Sequence, residues 1–144
     1  MTSATLRALP RHARSAALSD LGLRYVLTGV CAASAGVHAG IIPEHLVEAG
    51  PRLGAVFAAA AALLLTASVV ASRPRNDGWA PAGAAVLLVG TAASYLLSRT
   101  AGLPGLISDP EPVDAIGLVT SIAELVGAGA GIVLYLHHHR REPA

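Results

Sequence analysis

Apolar residues along this chain collect in four long runs, and the charged residues mark their edges. No Asp, Glu, Lys or Arg occurs from Tyr25 to Pro43, from Leu53 to Ser72, or from Gly78 to Ser98. A fourth run, Ala115 to Leu136, is interrupted only by Glu124. None shows the period-two alternation of a half-buried strand. The second run contains Ala58-Ala59-Ala60-Ala61-Ala62-Leu63-Leu64-Leu65, with no β-branched residue. A helix rises ~1.5 Å per residue, so about 20 apolar residues cross a hydrocarbon core ~30 Å thick. Each run meets or nearly meets that length. In lipid every backbone polar group needs an internal partner, which leaves helices for such runs. The pattern predicts an all-α polytopic membrane protein. Its spans lie at about 24–42, 53–72, 79–98 and 115–136, after a segment 1–23 and before a tail 137–144. Short connections give a transmembrane four-helix bundle, up-down-up-down.

Composition sharpens this. Only 13% of the 144 residues are charged, against about 25% in soluble domains. A hydrophobic content of 53% excludes disorder, and a net charge of +1 gives no footprint for nucleic acid. All ten cations are Arg. Arg7, Arg11, Arg14 and Arg24 precede the first span, Arg73 and Arg75 lie between the second and third, and Arg140 and Arg141 follow the fourth. The other two connections hold Arg52 and Arg99 alone. That bias predicts a multi-pass protein of the cell (cytoplasmic) membrane with both termini cytoplasmic. Tyr25, Trp79 and Tyr135 then sit at inner span ends and Tyr95 near an outer one, as interfacial anchors. The segment 1–23 is expected as a cytoplasmic lead-in, lying partly on the membrane through Leu6, Leu9, Leu18 and Leu21. A cleaved leader is not expected, because the run that follows is long enough to span.

Helices in lipid associate through close backbone approach and polar contacts. Small residues are spaced for that purpose in three spans: Ala32, Gly36 and Gly40; Gly83, Gly90 and Ala93; Gly127, Gly129 and Gly131. They suit self-association, docking to a larger membrane complex, or packing of the bundle itself.

Two ionisable side chains fall within the spans, His38 and Glu124, and intramembrane ionisable residues are functional candidates by default. His38 begins the densest polar cluster, His38-Ala39-Gly40-Ile41-Ile42-Pro43-Glu44-His45-Leu46-Val47-Glu48. Thr28, Cys31, His38 and His45 share a stripe if the helix continues past Pro43. His38, His45, Glu48 and Glu124 therefore form a candidate metal set. Mixed imidazole and carboxylate donors suit zinc, copper(II), iron or nickel. Haem fits less well, since no other span supplies a second axial His. On the fourth span Asp114, Gly117, Ser121 and Glu124 share one face, an intramembrane polar path reaching about 15 Å inward. Thr91, Ser94, Tyr95 and Ser98 of the third span could line the same interior. Against these stand plainer readings: a solvated outer turn at Glu44–Glu48, and His38 and Glu124 as packing pins. His137-His138-His139 reads as a favourable positive end to a helix. Asp109, Glu111 and Asp114 read as a rigid acidic turn that could add carboxylates near His45. The lone Cys31 has no disulfide partner in the chain. No nucleophile–base pair or phosphate loop appears, so an enzyme is the least supported class.

A further reading rests on His38, then Pro43-Glu44-His45 with Glu48 and a second span containing Gly54, then Asp114-Ala115-Ile116-Gly117-Leu118-Val119 leading to Ala123-Glu124-Leu125. On these residues the chain resembles small four-span integral membrane proteins of G+C-rich bacteria, over most of residues 24–136. The resemblance implies the same bundle and marks His38, His45 and Glu124; it brings no activity, substrate or cofactor. The leading functional expectation is a polar His/carboxylate site opening to the outer face, for metal handling or support of a membrane redox system. A structural accessory subunit and a proton or ion pathway are the alternatives.

Overall fold

A computed structural model describes residues 11–48, 50–73 and 78–140. Five helices account for nearly all of them: α1 Arg11–Gly40, α2 Ile42–Glu48, α3 Pro51–Ala71, α4 Trp79–Thr100 and α5 Ala115–His139. The chain is all-α, and four helices are long and apolar enough to cross a membrane. The boundaries of α3, α4 and α5 follow the charge-free runs to within a turn, which is the tolerance of any helix end. Local chemistry sets these ends. Gly50 and Gly78, at φ 85° and 77°, turn the chain into α3 and α4, and Pro51 opens α3, where its missing N–H has no partner to lose. Asp114 caps α5, its carboxylate accepting from the Gly117 N–H at 2.6 Å.

α1 departs from expectation. It starts at Arg11 and runs unbroken through the first predicted span, so residues 11–23 are the base of that helix and not a separate surface segment. Leu18 and Leu21 are exposed on it; Leu6 and Leu9 lie outside the described residues. The helix breaks at Ile41, where Pro43 cannot donate to the preceding turn, and resumes as the short α2.

The four long helices stand side by side in chain order, with α5 closing back on α1. Contacts between neighbours keep a steady antiparallel register. Along α1 and α3, Arg24 meets Ala71, Thr28 meets Ser68 and His38 meets Phe57. Along α1 and α5, Asp20 meets His137, Leu27 faces Gly131, Val30 faces Gly127 and Ser34 meets Glu124. The arrangement is up-down-up-down, with the core Leu27, Cys31, Leu64, Leu88, Ala128 and Leu134 at its centre.

Gly127 and Gly131 of α5 permit close approach of the neighbouring long helices. A Cβ on Gly127 would lie 2.8 Å from Val30 and 2.9 Å from Leu88; one on Gly131 would lie 2.7 Å from the Pro81 carbonyl oxygen. The other small-residue sets behave differently. Ala32, Gly36 and Gly40 of α1, and Gly83, Gly90 and Ala93 of α4, are all exposed. The four glycines among them have open space where a side chain would go. The faces of α4 that pack are Pro81, Ala84, Ala85, Leu88 and Ala92.

At the Arg-rich end, the Arg24 guanidinium donates to the carbonyls of Ala71 and Arg73 at 3.1 and 3.2 Å, satisfying the end of α3. At the opposite end Arg99 clamps the last connection, bonding Glu111 at 2.7 Å and Asp114 at 2.9 Å while lying over the Tyr95 ring.

The glycine contacts generate a contrast. Gly131→Ala places a methyl against backbone that cannot rotate away, and should destabilise the bundle by about 1–3 kcal/mol. Gly129→Ala, with open space at its Cβ, should stay within about 0.5 kcal/mol of the parent. Equilibrium unfolding in detergent measures both.

Candidate functional site

The site grows from three residues on two helices. Ser34 and His38 stand one turn apart on α1 and so project from the same face. Glu124 comes from α5, three residues before Gly127, where the two helices draw together. Glu124 is 1% exposed and Ser34 2%. The Ser34 hydroxyl donates to Glu124 Oε1 at 2.5 Å, joining α1 to α5 near the middle of both spans. His38, half-buried, completes the line. Its Nδ1 lies 2.9 Å from the Ser34 carbonyl oxygen and 3.4 Å from the Ser34 hydroxyl. A carbonyl only accepts, so Nδ1 carries a proton, and whenever the ring is neutral its lone pair lies on Nε2.

A second imidazole has the same internal arrangement. His45 Nδ1–H donates to the Ile41 carbonyl at 3.0 Å. Phe57 of α3 stands between the two rings, its centroid 4.4 Å from His45 and 5.7 Å from His38. α2 is held over this end by Leu46, whose side chain fills the space beside Gly54.

The proposed metal set is therefore not gathered at one point. His38 reaches Glu124 through Ser34, His45 packs on Phe57, and the side chain of Glu48 lies outside the described residues. Among the described residues no three His, Cys, Asp or Glu side chains come together as a metal ion requires. Asp114 is committed to its helix cap and to Arg99, and Tyr95 donates to the Asp114 carbonyl. Ser121 is half-buried between Asp114 and Glu124 in the chain. Thr91, Ser94 and Ser98 bond carbonyls of their own helix, as mid-helix hydroxyls commonly do. Glu111, expected to join His45, is held by Arg99 instead. His137 pairs with Asp20 at 2.8 Å, and His139 donates to the Tyr135 carbonyl.

Ser34 is the residue that sequence reasoning passed over. The signal was present: Cys31, Ser34 and His38 follow the three- and four-residue spacing of one helix face, whereas stepping by sevens skips the serine.

Comparisons with protein families, with curated proteins and with solved structures find no match to this chain.

The Ser34–Glu124 bond is testable by a double-mutant cycle. Ser34→Ala leaves a buried carboxyl without its partner and should cost about 1–2 kcal/mol. In a Glu124→Leu background the same change should cost almost nothing. Unfolding in detergent of the four variants gives the coupling energy.

Proposed function

We propose that this is a small four-span protein of the cell membrane that takes up a proton from its outer face and holds it at Glu124. Both termini and the arginine-rich connection lie on the cytoplasmic side, as the positive-inside bias favours. The observation that carries the reading is the hydrogen-bonded line His38–Ser34–Glu124, which runs from near the end of α1 to a buried carboxyl.

Each group in the line has the atoms the transfer needs. A proton reaches the Nε2 lone pair of His38. The Nδ1 proton then leaves the Ser34 carbonyl oxygen, which it faces at 2.9 Å, for the Ser34 hydroxyl oxygen at 3.4 Å as that hydroxyl releases its own proton to Glu124 Oε1. The net change is a protonated Glu124 and a His38 ring in its other tautomer, and the reverse sequence restores both. Beyond Glu124, toward the Arg-rich end, the core is built on Leu27, Leu64, Leu88 and Leu134. The nearby hydroxyls of Thr28 and Ser68 are committed to backbone carbonyls. That favours uptake from one side over conduction through the bundle.

Metal handling at His38, His45, Glu48 and Glu124 has less support, since no third ligand joins the imidazoles among the described residues. Association with a second copy or a larger membrane complex draws on the exposed small-residue face of α1, formed by Ala32, Gly36 and Gly40.

Infrared difference spectroscopy of the protein in vesicles tests the proposal. Acidification should raise a carboxyl C=O band that is absent in Glu124→Gln and displaced in Ser34→Ala, while a pH gradient across the vesicles persists. A spectrum with no Glu124-dependent band at any pH would overturn the reading, and a gradient that collapses only when Glu124 is present would replace it with a conducting pathway.

A further inference from the structure

The close approach of α5 to α4 leaves a groove on the membrane-facing side of that pair. Ala82, Ala85, Val86, Val89, Ile132 and Tyr135 line a volume of about 280 Å³, almost wholly apolar. From Ala82 to Val89 it follows two turns of α4, about 10 Å along the bilayer normal. It lies in the half of the bundle nearer the Arg-rich end, because α4 starts at Trp79 and α5 finishes at His139.

An aromatic cluster and then a cation follow this groove at the Arg-rich end of the two helices. Tyr135 stacks on His139 with centroids 4.1 Å apart, and Trp79 closes the cluster at 5.7 Å from Tyr135 and 5.9 Å from His139. Trp79 is 65% exposed, and its indole N–H has no hydrogen bond within the described residues. Arg140 follows His139 directly, is exposed, and makes no side-chain hydrogen bond among the described residues. Arg24, by contrast, is tied to the end of α3, and Asp20 pairs with His137. Among the described residues, then, the Trp79 and Arg140 donors are uncommitted at the helix ends beside the apolar groove, the end of the bundle where an interface with lipid headgroups would fall. Indole rings and arginines are favoured there.

We propose that the α4/α5 groove is a binding site for an anionic phospholipid of the leaflet at the Arg-rich end. One acyl chain lies along Val86, Val89 and Ile132. The phosphate accepts from the Arg140 guanidinium and the Trp79 indole N–H. The site differs from the general lipid boundary in its shape, fixed by the contact of Gly131 with Pro81 and Ala85, and in the charge that follows it at the Arg-rich end. It is independent of the Glu124 line, which lies between α1 and α5.

Native mass spectrometry of the full chain released from nanodiscs of mixed phosphatidylcholine and phosphatidylglycerol tests this. One phosphatidylglycerol per chain should be retained in preference to phosphatidylcholine. Arg140→Gln should lower its retention roughly fivefold, the scale of one basic side chain at an anionic surface. Val86→Trp, which fills the groove from its exposed side, should lower retention at least as far. Arg73→Gln removes the same charge at the same end, at the end of α3, and should leave retention unchanged. Equal retention of the two lipids, retention indifferent to Val86→Trp, or an equal loss in Arg73→Gln and Arg140→Gln would each overturn the site.

Discussion

Inside a bilayer, lipid tails are as apolar as leucine, so burying Leu or Val between helices offers little drive to assemble. What remains is contact at short range and hydrogen bonds between helices, and both require the backbones to come near one another. In this chain that nearness is concentrated on one face of α5. Gly127 admits Val30 and Leu88, and Gly131 admits the backbone of Pro81 together with Ala85 and Leu27. Three residues before Gly127 the same face carries Glu124, and the same approach brings the Ser34 hydroxyl within bonding distance of it. The packing of α5 and the chemistry at Glu124 are thus consequences of one geometric fact. The α4/α5 groove is another, since α4 also closes on Gly131.

Polar groups elsewhere in the bundle serve the helices themselves. Arg24 ends α3, Asp114 begins α5, Arg99 ties Glu111 and Asp114 beside the end of α4, and Asp20 with His137 fastens α1 to α5. These contacts are partly buried at the ends of the bundle, where they fix the register of the helices they join. The line His38–Ser34–Glu124 stands apart, because it ends on an ionisable side chain that is buried.

The spans were legible from the sequence because hydrocarbon thickness imposes a length and charge exclusion marks the ends. Residues on one stripe of a single helix were also legible: Thr28, Cys31 and His38 do turn inward together. Rotation of one helix against another was not. Both faces of α4 are lined by small residues, so size alone does not separate the packed Ala84 and Ala85 from the exposed Gly83 and Gly90. The same ambiguity concealed the outward face of Ala32, Gly36 and Gly40. Partner choice between loops was equally hidden. Arg99 entered the sequence reading only as a charge, yet it takes Glu111 and Asp114 away from any site around His45. Ser34 escaped because a serine within a span ordinarily bonds its own helix, and only the position of α5 gives this one a carboxylate.

The dependence of the buried site on the glycine face can be measured directly by isotope-edited infrared or solid-state NMR of the Glu124 carboxyl in membranes, comparing the parent with Gly127→Leu. If close approach of α5 delivers Ser34 to Glu124, the hydrogen-bonded carboxyl signal of the parent should be lost in Gly127→Leu while the four spans remain inserted. A carboxyl signal unchanged by that substitution would contradict the account.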